Sequence, residues 1–314
     1  MKAALLIRLG GLGDLVVALP AISLLRKAFP EASFRLLARA GYGELLREAG
    51  VVDAVSEADD PAWTPLFDGG GTPSPEFRAA LGRLDCVAGW FHGAAGRPPW
   101  REDLLRAEGA PAVGSPPVFR PFMYDRESSI PISRYFFDRT AEFVRAEGRP
   151  AAGFEDCRLL FGRSPRPGER FGVVHPGSGG RLKLWPLERF RSVIEALAAD
   201  GLDGLVVTGE AEASLEGELQ AMPLPRGWRR AVRPPLPGLA DALRRAAVYV
   251  GNDSGVTHLA AACGTETIAV FRDEFVPAWR PFGRATVLSA PRVDEVAVVD
   301  VIAAARRALG RSGV

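Results

Sequence analysis

AALLIRLGGLGDLVVALPAISLLRKAF, Ala3 to Phe29, decides the fold. Ala3 to Ile7 is a short unbroken apolar run, which predicts a strand buried on both faces. Gly10, Gly11 and Gly13 follow, and clustered glycines let the backbone turn tightly and leave room for a ligand. From Asp14 to Phe29, Leu15, Ala18, Leu19, Ile22 and Leu25 recur at helical spacing. Arg26 and Lys27 supply the basic last turn that favours a helix C-terminus. Pro20 must kink that helix or sit near its first turn. Strand, glycine turn and helix together open a parallel α/β sheet.

The alternation continues outward. Phe34 to Ala38 and Val51 to Val55 read as strands, with a helix over Tyr42 to Ala49 between them. A loop over 57 to 76, a helix over Pro75 to Gly82, a strand over Asp85 to Trp90 and a helix over Ile132 to Glu147 follow. Residues 91 to 130 are punctuated by Gly and Pro and yield no assignment. Gly148 to Arg170 (GRP, then GRSPRPGER) reads as a linker, after which the pattern restarts. Strands are expected at Phe171 to His175, Gly204 to Thr208, Trp228 to Val232, Ala247 to Val250 and Thr267 to Phe271. Helices are expected at Pro186 to Ala199, Ala211 to Ala221, Leu239 to Ala246, Gly255 to Cys263 and Val293 to Leu309. The expectation is two Rossmann-like α/β domains, 1–160 and 161–314, whose parallel sheets face a central cleft. The last helix is expected to pack back on the first domain.

Composition agrees. A chain of 314 residues is comfortable as two domains of about 150 residues each. Its net charge of +1 offers no field for nucleic acid. Three widely spaced cysteines (Cys86, Cys157, Cys263) exclude a disulfide framework and fit a reducing cytosol. No apolar stretch reaches the roughly 18 residues of a membrane span. Arg8 and Asp14 interrupt the N-terminal apolar run, which argues against a signal peptide. The expected location is cytoplasmic, with room for peripheral contact at the inner face of a membrane.

Four segments carry chemistry, each at a strand end. RLGGLGD presents Asp14 at the start of a helix, with Gly11 and Gly13 leaving space for a donor. It lacks the G-x-G-x-x-G spacing of a dinucleotide site, and Ala38 and Arg39 stand where a ribose-binding acid belongs. Read alone, Asp14 suits a helix cap better than a base. HPGSGGRLKLWP, His175 to Pro186, forms an open loop with the Ser178 hydroxyl and the cations Arg181 and Lys183, suited to phosphate oxygens or to plain solvation. GNDSGVTHLAAACG, Gly251 to Gly264, places Asp253 and Ser254 as caps, Gly255 at an uncovered helix N-terminus, and His258 a turn further on. Such a terminus attracts an anion, and a pyrophosphate suits it. In TGEAE, Thr208 to Glu212, Glu212 can accept from ribose hydroxyls. No Asp-x-Asp pair and no His cluster suggest a metal, so no metal and no cofactor are expected. Nucleophile-elbow and P-loop motifs are also absent.

Taken in chain order, RLGGLGDLVVALPAISLLRKAFP, HPGSGGRLKLWPLERF, TGEAE and NDSGVTHLAAACG together resemble the ADP-heptose:lipopolysaccharide heptosyltransferase family, glycosyltransferase family 9, inverting transferases of the GT-B fold. The resemblance covers roughly residues 3 to 40 and 171 to 283. It implies that Asp14 is the catalytic base and that Lys183 stands near the donor phosphates. It also implies that Glu212 contacts the ribose and that Asp253, Ser254, Gly255 and His258 form the pyrophosphate side. The sequence departs from the family's Phe-Gly-Pro-Thr: Phe271-Arg272-Asp273-Glu274 stands there, with Pro277 and Trp279 beyond. No dense basic cluster marks the acceptor half; Arg97, Arg101 and Arg106 are candidates for an anionic acceptor, although a solvated surface suits them better.

The implied reaction is a metal-independent, inverting transfer of a sugar, heptose from ADP-heptose, to a lipopolysaccharide-core or related glycan or glycolipid acceptor. An aspartate of ordinary acidity, about 3.9, is ionised at neutral pH and ready as a base. Three alternatives stay open. They are a GT-B transferase using another nucleotide sugar and another acceptor, an inactive nucleotide-sugar-binding protein, and a dehydrogenase, against which the missing glycine fingerprint counts.

Overall fold

A computed structural model describes residues 1–39, 41–57, 59–67, 74–91, 118–123, 129–157, 171–209 and 216–311. The chain divides into two compact units, Met1–Arg158 and Leu159–Val314. Each is an α/β unit with one all-parallel sheet, as the alternation implied.

The first sheet contains β1 (Ala3–Arg8), β2 (Ser33–Ala38), β3 (Ala54–Glu57), β4 (Cys86–Phe91) and β5 (Val118–Met123), in the order β3-β2-β1-β4-β5. Leu5, Leu6 and Ile7 are fully buried, which is why β1 reads as an unbroken apolar run rather than an alternating one. The helix Leu12–Ala28 follows β1 and packs closely on the helix Ile132–Ala146. Pro20 lies well inside that first helix, in the core, not in its first turn.

β3 starts later than the apolar letters suggested. Gly50, at φ +69°, ends the preceding helix, and the N–H groups of Val51 and Val52 both return to the Leu46 carbonyl. These two valines therefore complete a helix terminus, and pairing begins only at Ala54. The stretch expected to be linker also contains a helical turn, Phe154–Cys157.

The second sheet contains β6 (Phe171–His175), β7 (Asp203–Thr208), β8 (Trp228–Val232), β9 (Val248–Asn252), β10 (Thr267–Arg272) and β11 (Ala285–Ala290). Its order is β11-β10-β9-β6-β7-β8, every pair parallel. Its core gathers Val174, Trp185, Phe190, Ile194, Val250 and Val270 with Val301, Ala305 and Ala308 of the helix Val298–Arg311. The apolar face of that last helix lies in the core of its own unit.

The strand orders locate the sites. The strand order of each sheet reverses once, between β1 and β4 in the first and between β6 and β9 in the second. Helices leave opposite faces there, so the carboxyl ends of these strands open a crevice where ligands of such sheets bind. All three cysteines are buried. Burial raises the Cys157 thiol to about 11 and the Cys263 thiol to about 12, so neither is a nucleophile at neutral pH.

Candidate functional site

At the switch point of the first sheet, the chain leaves β1 through Arg8, Leu9 and Gly10. Gly10 has φ +115°, and a Cβ there would lie 2.5 Å from the Asp14 Oδ2 atom. Only glycine permits both this backbone and the approach of that carboxylate. Gly11 then caps the helix, and Gly13 lies inside its first turn. Asp14 stands in the same turn, and its Oδ2 atom accepts the Gly11 N–H at 2.7 Å. Its Oδ1 atom pairs with Arg8 Nη2 at 3.0 Å.

Arg8 is almost wholly buried. Its Nε donates to the Asp14 carbonyl at 2.6 Å and its Nη1 to the Trp90 carbonyl at 3.0 Å. The guanidinium also lies 5.6 Å from the Phe136 ring centroid. Burial lowers its pKa to about 10, against the opposing pull of Asp14, so it is still charged at neutral pH. Arg8 was not among the site residues read from the sequence, yet it is what holds Asp14 in place.

At the switch point of the second sheet, the loops after β6 and β9 are tied together. Asn252, at the end of β9, accepts the Trp185 N–H at 3.1 Å and donates to the Pro176 carbonyl at 2.7 Å. Ser178 Oγ donates to the Asp253 carbonyl at 2.7 Å, which commits its proton to the scaffold. Lys183 ends the 3-10 turn Arg181–Lys183, and its Nζ lies 2.7 Å from Asp253 Oδ2. The lysine keeps 28% of its side chain exposed and the aspartate 5%. The pairing is a close ionic contact rather than an aligned hydrogen bond. Lys183 Nζ also lies 4.5 Å from the Phe275 ring centroid.

The helix Gly255–Ala262 starts beside this pair. Ser254 is its cap, its Oγ accepting the Thr257 N–H at 3.3 Å. The N–H groups of Gly255 and Val256 have no acceptor within the helix, as in any first turn, and both residues are partly exposed. Tyr249 reaches Thr257, hydroxyl to hydroxyl at 2.9 Å, across Gly251. A Cβ at Gly251 would lie 2.2 Å from the Tyr249 hydroxyl, so glycine is needed there for space. His258 is buried one turn into the helix, its ring 6.3 Å from that of Trp279.

The structure therefore gathers Gly11, Gly13 and Asp14 in the first unit, and Ser178, Lys183, Asp253, Ser254, Gly255 and His258 in the second. Glu212, Arg97, Arg101 and Arg106 lie outside the described residues. Among the described residues, no group of three or more His, Cys, Asp or Glu is placed to hold a metal ion. Sequence reasoning missed Arg8, Asn252 and Phe275. A basic residue ending an apolar strand, six positions before Asp14, was the available signal for Arg8.

The family model for glycosyltransferase family 9 (heptosyltransferase) matches residues 133–296. Lipopolysaccharide heptosyltransferase 3 of Escherichia coli is 28% identical over 118 residues, 37% of this chain. That match spans about a third of the relative's own length, 35%. Among solved structures, ADP-heptose lps heptosyltransferase II of E. coli gives a TM-score of 0.73 at 16% identity, covering 100% of both chains. The glycosyl transferase family 9 protein of Veillonella parvula DSM 2008 gives 0.69 at 16%, covering 99% of this chain and 98% of that one. Heptosyltransferase WaaC of E. coli, solved with ADP, gives 0.68 at 18%, covering 99% and 100%. At these identities the structural likeness shows the fold, and it agrees with the two parallel sheets.

Proposed function

Because the chain belongs to glycosyltransferase family 9 (heptosyltransferase), we propose that it transfers a sugar from a nucleotide-sugar donor to a glycan or glycolipid hydroxyl. ADP-heptose is the proposed donor and a lipopolysaccharide core the proposed acceptor class. The observation that carries this reading is the placement of Lys183. Its ammonium sits at the carboxyl edge of β6 and β9, partly exposed, beside a capped helix with open N–H groups. A cation and an uncovered helix N-terminus together suit a diphosphate.

The proposed chemistry is an inverting displacement. Asp14, held by Arg8 and the Gly11 N–H, takes the proton of the acceptor hydroxyl. The acceptor oxygen bonds to the anomeric carbon as the bond to the diphosphate oxygen breaks on the opposite face. Negative charge then grows on the departing diphosphate, and Lys183 with the N-terminus at Ser254–Gly255 stabilises it. These fixed charges make the proposed mechanism metal-independent. Glu212 is proposed to meet the ribose. A glycolipid acceptor would bring this protein to the inner face of the cytoplasmic membrane as a peripheral partner. Among the described residues, no helix is long and apolar enough to cross a membrane.

A second reading has one observation in its favour. Arg272, ion-paired with Glu274 at 2.9 Å, and Phe275 form a charged, aromatic segment beside the donor lysine, departing from the family pattern. This favours a different nucleotide sugar. The test for both is donor profiling. Purified protein is incubated with ADP-, GDP- and UDP-sugars and a Kdo–lipid A acceptor, and products are read by mass spectrometry. ADP-heptose should yield free ADP and a glycan heavier by one heptose. Product from another donor alone would replace heptose, and no product from any donor would leave a binding protein.

A further inference from the structure

We infer that Phe275 is a positioning residue for Lys183, setting the ammonium that meets the donor diphosphate. The inference rests on the donor-site reading above and deepens it.

A lysine ammonium is a compact, strongly hydrated charge on a flexible four-carbon stem, so its location must be imposed. Lys183 follows Gly179 and Gly180 and ends a short 3-10 turn, so its own loop does little to restrain it. Two groups from other loops do so: Asp253 Oδ2 at 2.7 Å and the Phe275 ring at 4.5 Å to the centroid. The second distance is well inside the roughly 6 Å range over which an aromatic face attracts a cation.

The two anchors act differently toward an incoming anion. Asp253 carries a full negative charge, so a diphosphate must compete with it for the same ammonium. A ring holds the cation through its quadrupole and leaves the formal charge for the ligand. When the ammonium shifts from the carboxylate toward phosphate, the ring keeps it at the sheet edge.

The segment that carries Phe275 is shaped for this. Asp273–Phe275 is a 3-10 turn directly after β10, and the short helix Val276–Trp279 continues it. Trp279, four residues on, packs at 67° against His258. One segment thus sets one aromatic ring against Lys183 of the loop after β6 and another against His258 of the helix Gly255–Ala262. Arg272 also lies 5.9 Å from the Phe275 ring, but Glu274 matches its charge locally.

The test is a double-mutant cycle read by calorimetric titration of ADP, to millimolar concentration, into the full chain. Phe275→Leu should weaken ADP binding two- to tenfold, about 0.4–1.4 kcal/mol. Phe275→Tyr, which keeps the ring, should stay within about twofold of the unaltered protein. In a Lys183→Met background, Phe275→Leu should change nothing further. Unaltered ADP affinity in Phe275→Leu would overturn the inference. So would an equal loss with Lys183 already removed, since that marks general packing. If the unaltered chain binds no nucleoside diphosphate at all, the donor-site reading itself falls, and this inference with it.

Discussion

Arg8 lies 3.0 Å from Asp14, with the arginine buried and the aspartate keeping 23% of its side chain exposed. The pair is therefore one-sided: a cation locked in the protein interior presents a carboxylate that is still reachable from outside. Asp14 is also a helix cap, through the Gly11 N–H. Cap and base are not rival roles here. A carboxylate has about four lone-pair positions, so accepting the Gly11 N–H does not by itself exclude work as a base, and 23% of the side chain faces solvent.

Arg8→Met should destabilise the first unit by about 2–4 kcal/mol, because the Trp90 and Asp14 carbonyls and the Asp14 carboxylate each lose the hydrogen bond that Arg8 supplies. Arg8→Lys should recover part of that. Urea unfolding midpoints measure both, and an unchanged midpoint in Arg8→Met would show that the buried guanidinium holds nothing.

Gly10→Ala tests the turn. The residue has φ +115°, and its new Cβ would meet Asp14 Oδ2 at 2.5 Å. The expected cost is about 1–3 kcal/mol, with a fall in turnover because the carboxylate must move. Thermal unfolding and turnover are the measurements; normal values for both would mean that the turn relaxes freely.

Lys183→Ala should raise the donor KM at least about tenfold, the effect of losing one charge-assisted phosphate contact of about 1.4 kcal/mol. It also leaves Asp253 buried without its cation. Steady-state kinetics with the donor varied would show it, and an unchanged KM would remove Lys183 from the donor site.

Asp85 accepts the backbone N–H groups of Lys2 and Ala3, tying the start of β1 to that of β4. The Lys2 hydrogen bond, more than the neighbouring charges, holds its carboxyl below the ordinary carboxylate range. For a carboxyl lowered in the folded state, the stabilisation is complete above the unfolded value of about 3.9 and is lost as pH falls through the folded one. Asp85→Asn should flatten the decline in stability between about pH 5 and pH 2. Urea melts across that range would show it, and an unchanged slope would contradict the assignment.

Both glycine-turn loops, and most strands bounded by them, were legible because their signals are local. Apolar runs, turn residues and caps sit within a few positions of one another. What escaped depends on distant partners. Arg8 reads as a polar interruption until β4 brings the Trp90 carbonyl to it from 82 positions away. Asn252 was quoted within its motif but passed over, because its amide bonds reach back to Pro176 and Trp185. β11 has a mostly half-exposed pattern at the sheet edge, without the burial that writes a strand into sequence. Phe275 follows the Phe271-Arg272-Asp273-Glu274 departure and carries no local signal of its own; only its distance to Lys183 sets it apart.

The most direct test of the account compares Asp14→Asn with the unaltered chain. Asparagine keeps the size of the side chain and can still accept from Gly11, but it cannot take a proton at neutral pH. The measurement is paired: glycan product by mass spectrometry with the accepted nucleotide sugar, and ADP affinity by calorimetry. The account predicts no detectable transfer in Asp14→Asn with ADP affinity unchanged, because the diphosphate groups belong to the second unit. Transfer at the unaltered rate in Asp14→Asn would contradict it.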